Sequence, residues 1–139
     1  MRVRDCMTAD PMTVAPSVSL EDAMEIMQMR RIRHLPVVED GHLVGFLSDR
    51  DLKRAAPSVV DPSLTSERYA EVVTTVRVDR LMMRHPVTVA PDMPLGDAVQ
   101  IFIDKKFGAL PVVEGERLVG ILSQIDVLRA FRRTLGGAG

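Results

Sequence analysis

Two pseudo-symmetric β-α-β-β-α repeats packed sheet to sheet, an α+β fold, is the architecture this sequence predicts, and three observations carry it. First, the chain is written twice: shifted by 75 positions, residues 7–55 fall on 82–130 without a gap, with about 23 of 49 positions identical. A repeat of this kind marks one supersecondary unit used twice. Second, each copy carries one stretch with apolar residues at helical spacing. Third, each copy then carries two short apolar runs joined by a polar turn, the pattern of an antiparallel hairpin.

Taken in order, Met12-Thr13-Val14 and Val87-Thr88-Val89 read as short extended segments ahead of Pro16 and Pro91. A helix follows in each copy. Leu20, Ala23, Met24 and Met27 recur at i, i+3, i+4 and i+7, as do Leu95, Ala98, Val99 and Phe102. Ser19 suits the N-cap, with Glu21 and Asp22 in the first turn and Arg30 and Arg31 at the far end, as the helix dipole prefers. The hairpins are Leu35–Val38 with Leu43–Leu47, and Leu110–Val113 with Leu118–Leu122. A last helix starts at Ser48 or Ser123; the first copy stops at Pro57, and the second runs towards Arg133 and ends near Gly136 and Gly137. The expected division is residues 1–57 for repeat 1, 58–76 for a connector with a helical turn or two within Ser66–Val73, 77–134 for repeat 2 and 135–139 for a tail. A unit of about 50 residues is marginal alone. Packing two copies buries both apolar faces and creates two equivalent clefts about a pseudo-twofold axis.

Composition narrows the function. With 46% hydrophobic and 27% charged residues, the 139-residue chain is globular in type. A net charge of −1 with interspersed signs offers no field for nucleic acid or a membrane surface, and 4% aromatics are too few for base-stacking platforms. No apolar run approaches a membrane span. Cys6 is the only cysteine, which fits a reducing compartment, so a cytoplasmic location is expected.

The frame GFLSDRDL (Gly45–Leu52) recurs as GILSQIDV (Gly120–Val127), placing Ser-x-x-Asp at the start of the last helix twice. Together with MTxxPxTVxP (Met83 replacing its first Thr in the second copy), the LPVV strand and the LVGxLS strand, in order and in both copies, these residues resemble a tandem pair of CBS domains, the cystathionine-β-synthase type. The resemblance covers nearly the whole chain, and its stand-alone layout is similar to AcuB-type proteins. It implies a pseudo-symmetric disc that binds adenosine-containing ligands such as AMP or ATP in its clefts, for regulation and not catalysis. Carried over, Asp51 and Asp126 hold ribose hydroxyls and Ser48 and Ser123 lie near phosphate. The positions before and within the Pro-Val-Val strand also contact ligand: Arg33, His34 and Pro36 in one copy, Gly108, Ala109 and Pro111 in the other. Thr13 and Val14, with Thr88, line the base region. The chemistry agrees: an ionised Asp accepts two hydroxyls at once, while a helix start offers N–H groups to phosphate.

Blander readings stand beside these. Ser-x-x-Asp is also a capping box, and Ser19 with Asp22 shares the spacing as a cap alone. His42 and His85 read as solvated, and the three histidines lack metal-ligand spacing. The methionines at 24–29 read as core or interface filler, and Arg129, Arg132 and Arg133 as a solvated face. No catalytic triad order, phosphate-binding GxxxxGK loop or paired-carboxylate cleft appears, so no enzyme, metal or catalytic residue is expected. The alternative to a nucleotide sensor is a structural dimerisation module without functional ligand. Since these residues contain no effector domain, output is expected to pass to another, unidentified protein or through assembly. A homodimer is expected from surplus apolar stripes at Met24, Met27 and Met29 and at Val99, Phe102 and Ile103. Finally, Arg33, His34 and Arg50 align with Gly108, Ala109 and Ile125, so the first cleft should be the main phosphate-bearing one.

Overall fold

The computed structural model describes residues 1–55 and 65–136. The stop at Pro57, the connector before Thr65 and the tail beyond Gly136 lie outside these residues. The chain divides into two compact units, Met12–Pro86 on the one hand and Met1–Pro11 with Val87–Gly139 on the other. The units are offset from the repeats, because the segment at the start of each repeat packs with the hairpin of the other.

In the unit of residues 12–86, helix α1 (Leu20–Arg30) begins as its sequence requires: Ser19 Oγ accepts from Asp22 N at 3.1 Å. It ends at Arg31 in a left-handed conformation, φ +54°. Strands β2 (His34–Glu39) and β3 (His42–Ser48) form the antiparallel hairpin, in register from His34↔Ser48 to Glu39↔His42. Each strand is longer than its apolar run, so the turn shrinks to Asp40-Gly41, both at positive φ (+52° and +80°). That two-residue geometry matches the twist of paired strands. The short α2 (Asp49–Ala55) follows, and α3 (Ser66–Thr75) is a full ten-residue helix where one or two turns were expected. The extended segment at Val14 makes a single parallel bridge to Val37 in place of a strand. A 3-10 turn, Val78–Arg80, then brings Met83 against Phe46, with mutual backbone hydrogen bonds of 2.9 and 3.0 Å. Leu20, Leu35, Val37, Leu47, Leu52 and Val78 form the core.

The other unit repeats this plan. A 3-10 turn at Val3–Asp5 leads into β1 (Thr8–Ala9), which pairs antiparallel with β5 (Arg117–Ser123) through Thr8↔Ile121 and Ala9↔Gly120. Strand β4 (Ala109–Glu114) completes the hairpin with β5, and Val89 bridges Val112. Helices α4 (Leu95–Lys105) and α5 (Gln124–Thr134) cover it. Val3 occupies here the place Val78 holds in the first unit, and both are fully buried. The strand bulge between Val37 and Val38 recurs between Val112 and Val113. Gly45 and Gly120 are small for a packing reason: a Cβ on either would collide with the Met82 or Met7 side chain, respectively.

The apolar stripes divide differently from expectation. Met27 and Phe102 are buried within their own units, and Met24 and Val99 are half-buried. Met29 and Ile103 remain exposed, but a longer exposed stripe lies on α5: Ile125, Leu128 and Phe131, with Leu135 just beyond. Here Arg129, Arg132 and Arg133 flank apolar surface in place of forming a purely polar face.

Candidate functional site

The site in the unit of residues 12–86 is built where β2 starts and β3 ends. Register sets His34 opposite Ser48, and Asp49 N donates to the Arg33 carbonyl at 2.7 Å, tying the entry of α2 to the start of β2. Ser48 and Asp51 close a reciprocal cap. Asp51 N donates to Ser48 Oγ at 3.1 Å, and Ser48 N donates to Asp51 Oδ2 at 3.2 Å. The capping reading is therefore correct as local structure. It uses Oδ2 and leaves Oδ1 outside the cap, so capping and ligand contact are compatible.

Arg33, His34, Ser48, Asp49, Arg50, Lys53 and Arg54 together line an open cavity of about 450 Å³. The structure thus gathers four of the predicted positions: Arg33, His34, Ser48 and Arg50. Asp51 sits in the cap beside them. Thr13 is exposed on the extended segment, while Val14 and Pro36 are buried and joined by a hydrogen bond from Val14 N to the Pro36 carbonyl at 3.1 Å. Lys53 and Arg54 were missed by sequence reasoning. Their signal was present, since they stand at i+3 and i+4 from Arg50 and so share its helix face.

The electrostatics favour an anion. Lys53 Nζ lies 3.2 Å from Asp49 Oδ2, whereas Arg33, Arg50 and Arg54 have no carboxylate partner among the described residues. With only seven residues, α2 is a short dipole, so the attraction rests chiefly on these side chains. His34 stacks on Phe46, ring centroids 5.6 Å apart and planes 12° from parallel. Burial of the imidazole lowers its pKa; Asp51 and Asp49 oppose this and Arg33 adds to it.

The equivalent place in the other unit keeps the frame and, of the four cations, only Arg129. Gln124 N donates to the Gly108 carbonyl at 3.0 Å, and Ser123 and Asp126 form the same cap at 2.9 and 3.1 Å. Ala109 and Pro111 are buried, Thr88 is exposed, and Asp126 is buried with Arg129 Nη1 4.0 Å from its Oδ1. Ile125 and Leu128 stand where Arg50 and Lys53 stand in the first copy, and both are exposed. Among the described residues no cluster of His, Cys, Asp and Glu could hold a metal. No helix among them is long and apolar enough to cross a membrane.

This doubled hairpin-and-helix frame defines a class of α+β domain that occurs in tandem. The family model described as CBS domain matches residues 3–58 and 78–133, and the chain belongs to that family. The chain is 31% identical over 130 residues to a Methanocaldococcus jannaschii protein, MJ1225; the match covers 93% of this chain and only 46% of that relative, about half its length. Solved structures agree. CBSX2 in complex with AMP is 33% identical with a TM-score of 0.79, covering 96% of this chain and 97% of that one. An acetoin utilization protein (AcuB) from Vibrio cholerae is 28% identical with a TM-score of 0.81, covering 98% and 93%. The CBS pair of MJ0100, bound to 5′-methylthioadenosine and S-adenosylmethionine, is 25% identical with a TM-score of 0.78, covering 96% and 98%.

Proposed function

We propose that this chain is a regulatory sensor of adenosine-containing nucleotides, with its main phosphate-bearing site in the unit of residues 12–86. The cavity lined by Arg33, His34, Ser48, Arg50, Lys53 and Arg54 beside the Asp51 cap is the observation that carries the proposal. Asp51 accepts the ribose hydroxyls, Ser48, Arg33 and Arg50 meet the first phosphate, and the Thr13-Val14 segment borders the base. Relatives bound to AMP or to S-adenosylmethionine support the ligand class. The site formed by Thr88, Ala109, Pro111, Ser123 and Asp126 is weaker, or takes a less charged adenosine compound, because Ile125 and Leu128 cannot pair with phosphate. The signal passes to an effector protein or through a homodimer; the exposed apolar stripe of α5 supports an interface. A reducing cytoplasmic setting suits the single free Cys6, whose thiol burial holds at a raised pKa.

A thermal-shift screen of AMP, ADP, ATP and S-adenosylmethionine tests this reading. Ligand at about 100 times its Kd stabilises the fold by roughly 2.7 kcal/mol. If none of the four raises the melting temperature at millimolar concentration, the structural reading replaces it, in which the two caps serve only the helices.

A further inference from the structure

The cationic cavity has more positive charge than a monophosphate can use. Arg33 and Arg50 stand with Ser48 at the mouth of the site. Lys53 and Arg54 lie one helical turn further along α2, about 6 Å along the axis from Arg50 to Arg54. A single phosphate held by Ser48, Arg33 and Arg50 leaves that second pair without a phosphate. Among the described residues the only carboxylate lining the cavity is Asp49, paired with Lys53 at 3.2 Å, and none of them pairs with Arg54. Like charges gathered on one helix face repel one another, and a ligand with successive phosphates along that face relieves the repulsion at both levels.

We infer that the cavity selects nucleoside polyphosphates over monophosphates, with Lys53 and Arg54 as the residues that read phosphate-chain length. This inference rests on the proposed nucleotide site and deepens it. The first phosphate is shared by every adenine nucleotide and is met at Ser48, Arg33 and Arg50. The second and third extend along α2 to the Lys53 ammonium and the Arg54 guanidinium, displacing Asp49 as the partner of Lys53. The other unit has Leu128 and Arg129 at the matching positions, with Arg129 turned to Asp126, so chain length is read in one of the two units only.

Titration calorimetry of the whole chain with AMP, ADP, ATP, inorganic phosphate and tripolyphosphate, at fixed ionic strength, is the test. ATP should bind about tenfold more tightly than AMP, the size expected of one or two partly exposed charge-assisted contacts. In a Lys53→Ala/Arg54→Ala variant that melts like the wild type, ATP affinity should fall to the AMP level while AMP affinity stays within about twofold. A Lys53→Arg/Arg54→Lys variant should keep the preference. Equal AMP and ATP affinities in the wild type, or equal losses of both in the alanine variant, would overturn the inference and leave the nucleotide site intact. Tripolyphosphate binding that depends on Lys53 and Arg54, in a protein that binds none of the three nucleotides, would overturn the nucleotide function and this inference with it.

Discussion

The His34 imidazole lies face to face with the Phe46 phenyl ring, 5.6 Å between centroids and 12° between planes, at the edge of a cavity lined by four cationic side chains. The pairing follows from the hairpin register: Phe46 faces Pro36, two residues along the strand from His34, so the two rings are diagonal neighbours on one sheet face. The counterpart diagonal is Ala109 with Ile121, which has no ring to stack.

Burial lowers the pKa of His34, so in acid the unfolded chain takes up this proton before the folded one. Stability should therefore fall as pH drops through the unfolded histidine value of about 6.5 and level off below the folded value. Melting curves from pH 8 to 5 on wild type and His34→Gln check it. The variant should lose less stability over that range; an identical loss would place the acid sensitivity elsewhere.

Bound phosphate should reverse the sign of this histidine effect. A phosphate in the cavity favours the imidazolium, so nucleotide binding should take up a proton and tighten as pH falls from 7.5 to 6.5. Calorimetry in buffers of different ionisation enthalpy reads proton uptake directly. His34→Gln should abolish the uptake while retaining most of the affinity.

The two caps should separate function from stability. Asp51→Ala is expected to weaken AMP or ATP binding by tenfold or more, since a lost charge-assisted hydrogen bond costs about 1.5–3 kcal/mol. Asp126→Ala should change nucleotide affinity far less. Each variant should also lose about 0.5–2 kcal/mol of stability with its capping contacts. Equal affinity losses in the two would deny the asymmetry any functional weight.

Gly120→Ala should destabilise the fold by about 1–3 kcal/mol, because the new methyl meets Met7 Sδ at 2.7 Å and the Thr8 carbonyl at 3.0 Å. Gly96→Ala is the control. Nothing lies within 4 Å of its Cβ position in α4, so the helix gains about 0.5–1 kcal/mol. Urea denaturation of both variants checks the opposite signs.

Val3→Ala is expected to cost about 1–3 kcal/mol, as a fully buried side chain of the second core. Hydrogen exchange should show faster opening in β4 and β5, with β2 and β3 little changed. The reverse pattern would place residues 1–11 with the wrong hairpin.

The sequence by itself determined whatever depends on neighbours close in the chain. The Ser19, Ser48 and Ser123 caps, the helical stripe of Leu20, Ala23 and Met27, and both hairpins were legible because their partners lie a few residues apart. The doubled frame also identified the family and pointed to Arg33, His34, Ser48 and Arg50. The tertiary structure decided which hairpin receives which initial segment. The Gly45 and Gly120 strands present nearly the same edge, so no local pattern could assign Val3 and Thr8 to one and Val78 and Met83 to the other. It also decided that Lys53 and Arg54 join the cavity. Their helix face was fixed by periodicity, but the Arg33 side chain that joins them comes from just before the start of β2, tied there by the bond from Asp49 N to the Arg33 carbonyl.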